Sequence, residues 1–217
     1  MPQYLYLHGF ASSPQSAKAQ AMKARFAALG LDLIIPDLNQ GDFAHLTLSR
    51  QIQQVSTLIQ SQPDSTVLIG SSLGGLTAAW VAQQAAIAAH IEKLVLLAPA
   101  FDFLKQWLPR LGPDQLNTWR SEGTLSVYHY TEQRSVPLHY EFITDAQGYD
   151  DDALNAKIPA LILHGTNDET ISIEASRAYT AARPWTKLIE LPSDHALTDV
   201  EKDIWQHTQE FLGLGQL

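Results

Sequence analysis

Apolar residues along this chain follow two alternating rhythms. Short, almost unbroken apolar runs at residues 4–8, 31–36, 66–70, 93–98, 160–164 and 187–191 read as strands buried on both faces. Between them, apolar residues recur three or four positions apart, as on one face of a helix. Met22, Phe26 and Leu29 do so ahead of the stop signal Gly30, and Leu48, Ile52, Val55 and Ile59 mark a second helix. Val200, Ile204 and Phe211 mark the last. Strand–helix alternation with right-handed crossovers predicts an α/β fold, doubly wound, with a mainly parallel sheet of six strands. No repeat, charge block or low-complexity linker interrupts residues 1–217, so one domain is expected.

Residues 101–152 break the rhythm. They carry Trp107, Trp119, Tyr128, Tyr130, Tyr140, Phe142 and Tyr149, with Pro109, Gly112 and Pro113 near the start. Two alternating runs, 125–130 and 136–142, flank residues 131–135 and predict a β-hairpin. Such an insertion is either a satellite core under a long connection or a cap that walls an apolar pocket. The two are compatible.

Composition narrows the function classes. The chain is 45% hydrophobic and 17% charged, which suits a sizeable core. Zero cysteines remove disulfides, thiolate catalysis and Cys-type zinc sites together, and fit a reducing cytoplasm. The chain enters a strand at Gln3-Tyr4-Leu5 with no basic and apolar leader before it, so no secretory signal is expected. No apolar run approaches the roughly 18–20 residues that span a bilayer. Fourteen Lys+Arg against 23 Asp+Glu give a net charge of −9, a field that repels phosphate backbones and argues against nucleic-acid binding. A locally positive pocket mouth is still compatible with it.

The candidate chemistry starts at Gly70-Ser71-Ser72-Leu73-Gly74, directly after one predicted strand and before an alanine-rich helical run. This is a nucleophile elbow in strand–turn–helix context. A serine on so sharp a turn needs flanking residues, two before and two after, that carry almost no side chain. Ser72 is flanked by Gly70 and Gly74, whereas Ser71 would be flanked by Ile69 and Leu73, so Ser72 is the candidate nucleophile.

A serine hydroxyl needs a base, and the base needs an orienting carboxylate. After an elbow of this kind the acid and then the histidine follow in chain order. Asp168 comes after the run Leu161-Ile162-Leu163-His164-Gly165, and His195 comes after the last predicted strand, ahead of the final helix. Both then project from the carboxyl edge of the sheet, where open α/β sheets place their ligands. Asp102, after the preceding strand, is the rival acid, and Asp194 reads as a loop-stabilising residue. Choosing His164 would break the order of acid and histidine. His129 and His139 fall in the hairpin, and His45, His90 and His207 fall in helical or helix-edge surroundings. The oxyanion of an acyl-transfer intermediate needs two amide donors. Leu73, at the start of the helix, and Phe10, after His8-Gly9, are the candidates.

At these residues the chain resembles a family. The string from Leu7-His8-Gly9-Phe10 through Ser12-Ser13-Pro14 to Lys18-Ala19, the elbow, and the His164–Asp168 and Asp194-His195 segments together look like the YqiA/YcfP-type small bacterial esterases of the α/β-hydrolase superfamily. The resemblance implies a cofactor-free, cytoplasmic hydrolase of carboxylic esters or thioesters, with Ser72, Asp168 and His195 at the triad positions. It also implies a shortened sheet, a compact version of the superfamily fold.

The expected activity is therefore acyl hydrolysis through an acyl-enzyme on a small-molecule substrate. Neither a metal nor a membrane nor a nucleic-acid partner is expected, and the insertion would contribute Trp107 and Trp119 to substrate binding. A binding protein that kept the pocket without turnover, and an acyltransferase using the same pocket, are the alternatives. A dehalogenase reading fails because that chemistry would want a carboxylate where Ser72 stands.

Overall fold

A computed structural model describes residues 2–215. Chain order runs β1 (Gln3–Leu7), α1 (Ala17–Ala28), α2 (Leu48–Gln60), β2 (Thr66–Ser71), α3 (Leu73–Gln83), α4 (Ala85–Ala88) and β3 (Ile91–Leu97). The 101–152 segment then supplies α5 (Phe103–Glu122), β4 (Thr124–His129), β5 (Arg134–His139) and α6 (Glu141–Ala146). The rhythm resumes with β6 (Ala160–Gly165), α7 (Ile173–Ala181), β7 (Thr186–Leu191) and α8 (Glu201–Leu212). The main sheet is parallel throughout, in the order β1-β2-β3-β6-β7.

The sheet has five strands, one fewer than the apolar runs predict. Residues 31–36 lie along the β1 edge but make a single bridge, Ile34 to Leu5. The Ile34 amide donates to Tyr4 O (3.0 Å) and the Tyr6 amide donates to Ile34 O (2.8 Å). The next rung would need an N–H from residue 36, which is proline and has none.

Residues alternate across the sheet, and each face has its own core. Leu5, Leu7, Leu68, Leu96 and Ile162 face α2, α3 and the aromatic insertion. Tyr4, Tyr6, Val67, Ile69, Val95, Leu97, Leu161 and Leu163 face α1 and α8 through Met22, Phe26, Val200 and Ile204. Each such side chain contributes about 1.5–3 kcal/mol by leaving water, so both faces fix the strand register. Among the described residues, no helix is long and apolar enough to cross a membrane.

The insertion folds as a kinked helix, a hairpin and a short helix. Gly112 takes φ 75°, ψ 162° inside α5, between Pro109 and Pro113, and so breaks the helix in two. The hairpin pairs Leu125 with Leu138 and Val127 with Val136. Its second arm stops at His139, short of the predicted residue 142, because residues 141–146 turn into α6. The insertion is tied down at both ends by Asp151. The Asp151 carboxylate accepts from the Asp102 amide (2.8 Å) and from Trp80 Nε1 of α3 (3.0 Å). Burial raises the Asp151 pKa against those two donors.

Candidate active site

The elbow is built by close approach. A Cβ on Gly70 would collide with the Gly74 backbone, and one on Gly74 would collide with the carbonyls of Leu7 and His8 at the end of β1. The strand, the helix and the β1 loop can therefore meet only through glycine. Ser72 sits between them at φ 53°, ψ −119°, a conformation that costs a non-glycine residue energy and that its surroundings enforce. Its amide donates to Leu97 O (2.9 Å), and its carbonyl accepts from the Ala100 amide (3.0 Å).

Around Ser72 Oγ a hydrogen-bonded chain extends inward. His195 Nε2 lies 3.0 Å from Ser72 Oγ, and His195 Nδ1 lies 2.7 Å from Asp168 Oδ2. An ionised carboxylate accepts only, so Nδ1 carries the proton and Nε2 is free to accept from the serine hydroxyl. The Asp168 side chain is fully buried, whereas that of His195 is 25% exposed. Burial by itself would raise the Asp168 pKa. Hydrogen bonds from His164 and His195, the His195 charge and the Ile171 amide outweigh it and hold the carboxyl well below the usual carboxylate range. Asp168 Oδ1 accepts from the Thr170 and Ile171 amides, both at 2.8 Å.

His195 reaches this place through another close approach. Gly165, at the end of β6, leaves no room for a Cβ against the Ser193 and Asp194 carbonyls, so the His195 loop closes directly onto the Asp168 loop. The Thr166 amide donates to Leu191 O (2.8 Å) and the Asn167 amide to Ser193 O (3.0 Å), which fastens the two loops together. Asp194 stabilises its own loop, accepting from the Ala196 amide (2.8 Å). Asp102, the rival acid, is instead at the start of α5 with its carboxylate 2.6 Å from Lys105 Nζ.

Sequence reasoning passed over one participant. His164 Nε2 contacts Asp168 Oδ2 (3.1 Å) and Ile171 O (3.0 Å), while Nδ1 lies 2.8 Å from Ser176 Oγ. A carbonyl can only accept, so Nε2 carries the proton, and Nδ1 accepts from Ser176. The signal was present as a histidine four residues before Asp168 at a strand end. Chain order had ruled it out as the base without suggesting a second role.

The loop after β1 crosses the elbow. His8 is buried, with Nδ1 3.0 Å from Gly9 O and Nε2 accepting from the Leu38 amide at 3.0 Å. Burial lowers its pKa, which favours the neutral ring this pairing needs. Among the described residues neither the Phe10 amide nor the Leu73 amide has an acceptor. Leu73 opens α3, so the positive end of that helix dipole lies at Ser72.

The Phe10 ring packs among Phe43 (5.6 Å between ring centroids), Phe103 (6.2 Å), Trp107 (5.5 Å) and Phe142 (5.4 Å), three of them from the insertion. A cavity of about 520 Å³ opens beside the elbow, walled by Leu48, Leu73, Leu76, Phe103 and Phe142. Asp102, Asp150 and Asp152 also line it. Trp107 and Trp119 are not among its lining residues. Trp119 is fully buried, and its indole N–H donates to Leu138 O at 2.9 Å.

A serine on a strained turn at the carboxyl edge of a parallel sheet, with helices on both faces, is the architecture of the α/β-hydrolase fold. Solved structures share it over nearly the whole chain. Alpha/beta hydrolase domain-containing protein 10 from mouse is 21% identical, covers 99% of this chain and 91% of its own, and superposes with a TM-score of 0.78. Est1E from Butyrivibrio proteoclasticus, with ferulic acid bound, is 20% identical over 98% of this chain and 90% of its own, also at 0.78. A monoacylglycerol lipase from Paleococcus ferrophilus is 16% identical over 98% and 95%, again at 0.78. Within that fold the chain belongs to the uncharacterised protein family UPF0227, whose model matches residues 3–212.

Proposed function

We propose that this protein is a serine hydrolase that cleaves carboxylic esters or thioesters through an acyl-enzyme. The observation that carries the reading is the chain of contacts from Ser72 Oγ to His195 Nε2 (3.0 Å) and from His195 Nδ1 to the buried Asp168 (2.7 Å). Ser72 Oγ attacks the acyl carbon while its proton passes to His195 Nε2. Asp168 holds the resulting imidazolium. The Phe10 and Leu73 amides receive the charge on the tetrahedral oxygen. His195 then gives its proton to the departing alkoxide or thiolate. A water molecule, deprotonated by the same nitrogen, attacks the acyl-enzyme, releases the acid and restores Ser72.

The apolar cavity beside Leu73 takes the acyl chain, with the insertion as one wall. That a fold neighbour binds ferulic acid and another is a monoacylglycerol lipase supports ester chemistry over other uses of the fold.

The test is labelling by a fluorophosphonate probe, followed by turnover of acyl esters and acyl-CoA thioesters of graded length. Labelling at Ser72 together with hydrolysis of at least one series is expected. A folded protein that neither labels nor turns over any substrate sinks the reading and leaves a binding protein.

A further inference from the structure

The loop after β1 carries the Phe10 amide past the nucleophile, and its two sides are held by different parts of the fold. A Cβ on Gly9 would stand 3.3 Å from Ser72 Cβ and 4.0 Å from Ser72 Oγ, so the Gly9–Phe10 peptide lies against the serine. Its upstream side is held by His8, whose Nδ1 is 3.0 Å from Gly9 O. Its downstream side turns sharply at Ala11, which takes φ 49°. A non-glycine residue keeps that left-handed conformation only where its surroundings enforce it. Two carbonyls show what does so here. Ala11 O accepts from the Tyr130 amide at 2.9 Å, and Ser12 O accepts from Asn39 Nδ2 at 2.8 Å. Tyr130 directly follows β4 at the tip of the hairpin, and Asn39 lies in the connection between α1 and α2.

The Asn39 side chain is buried. A carbonyl only accepts, so Nδ2 faces Ser12, and Oδ1 is left without a partner among the described residues. His129 of the hairpin, also buried, lies against it, with Nε2 3.4 Å from Asn39 Nδ2 and its ring edge-on to Phe43 at 5.2 Å. We propose that Asn39 and the Tyr130 amide form a brace that aims the Phe10 amide at the developing oxyanion. Asn39 is then a positioning residue, and the insertion is part of the machinery around Ser72 as well as a cavity wall. This role rests on the serine-hydrolase reading above. A peptide unit is planar, so the direction of its N–H follows from how the chain is held on either side. A donor stabilises an oxyanion only when it is aimed at the place where the charge develops. Releasing Ala11 O or Ser12 O lets Ala11 relax toward negative φ and swings the Phe10 amide off that line.

The experiment compares kcat, counted per site titrated by a fluorophosphonate, with the binding of two ketones that share the acyl chain of the best ester. A trifluoromethyl ketone takes Ser72 Oγ at its carbonyl carbon. The hydroxyl proton passes to His195 Nε2, and the carbonyl oxygen becomes an oxyanion on the same amides. The matching methyl ketone fills the cavity and stays trigonal. Asn39→Leu keeps the size of the side chain without its donor. Tyr130→Pro deletes the amide N–H, whereas Tyr130→Ala keeps it and removes only an exposed ring. Asn39→Leu and Tyr130→Pro are each expected to lower kcat about 10- to 100-fold with KM little changed, and to weaken the trifluoromethyl ketone by the same factor. The methyl ketone is expected to bind as it does to wild type. Tyr130→Pro is expected to lose about tenfold more than Tyr130→Ala.

A purely structural role gives another pattern. The melting temperature falls while kcat per titrated site stays at the wild-type value, or both ketones weaken together. Either result overturns the brace, as does an equal loss in Tyr130→Pro and Tyr130→Ala. If Asn39→Leu does not fold, the two Tyr130 variants decide alone, because that side chain is 71% exposed and neither change empties the core. Wild-type protein that never labels overturns the hydrolase reading itself, and the brace with it.

Discussion

At the scale of the residue, the candidate site is a set of atoms whose hydrogen-bonding is fixed by what each neighbour can donate or accept. Ser71 and Ser72 are adjacent hydroxyls with opposite surroundings: Ser72 Oγ faces His195, and Ser71 Oγ faces Lys18. Ser72→Ala is expected to lower kcat by several orders of magnitude with the fold intact, leaving the catalysis that the amide donors and binding provide. Steady-state kinetics beside a melting curve check this, and near-wild-type activity would remove Ser72 from the mechanism. Asp168→Asn keeps the size of the side chain but offers an N–H where His195 needs an acceptor, so the imidazole turns to the wrong tautomer. In a serine-protease triad that change costs about 10⁴-fold in kcat. A loss of that order is expected for Asp168→Asn and little loss for Asp102→Asn, whose carboxylate is engaged with Lys105. The reverse pattern at the pH optimum would move the acid to the loop after β3.

At the scale of the element, strain gathers where the chemistry is proposed. Among the described residues seven non-glycine residues take a positive φ, and five of them, Ala11, Ser72, Ala98, Asp102 and Leu197, lie in the loops that follow β1, β2, β3 and β7 at the sheet's carboxyl edge. The elements themselves were legible in the sequence because periodicity reports burial directly: Leu48, Ile52, Val55 and Ile59 are all buried on α2. The turn that carries the candidate nucleophile was legible because Gly70 and Gly74 declare a close approach that a single chain can show.

What the sequence hid was long-range. Pro36 ends a ladder only if residues 31–36 lie at an edge beside β1, and pattern alone does not place an edge. Which aromatics of the insertion meet the cavity depends on the kink at Gly112, which periodicity does not see. The structure separates two of them. Trp119 is fully buried with its indole N–H satisfied, whereas Phe103 lines the cavity. Trp119→Ala is expected to cost about 3–5 kcal/mol of stability, with all acyl lengths losing activity in step with the folded fraction. Phe103→Ala is expected to flatten the chain-length profile, since each acyl CH₂ buried against that wall is worth about 0.8 kcal/mol, roughly fourfold in kcat/KM. Chain-length series measured beside melting curves decide between wall and core for each side chain.

At the scale of the whole molecule, the field is negative and the cavity mouth shares its sign. The chain carries 23 acidic against 14 basic residues. Of the charged groups around the cavity, Asp102 is paired with Lys105, and Asp151 is engaged by the Asp102 amide and Trp80. Asp150 and Asp152 are exposed on the same wall, where Lys105 is the cation set against three more carboxylates. A coenzyme A leaving group brings several negative charges to this mouth, whereas a simple ester of the same acid brings none. The two should therefore differ in their response to salt even if their acyl chains occupy the cavity identically. Raising ionic strength from 0.01 to 0.15 M shortens the screening length from about 30 Å to about 8 Å. kcat/KM for an acyl-CoA is expected to rise several-fold across that range, while kcat/KM for the matching uncharged ester stays flat. Asp150→Asn with Asp152→Asn is expected to reproduce the rise for acyl-CoA at low salt, because it removes the same repulsion at its source. A decrease with salt for the acyl-CoA would mean that a local positive charge, such as Lys105 on the cavity wall, meets the leaving group instead.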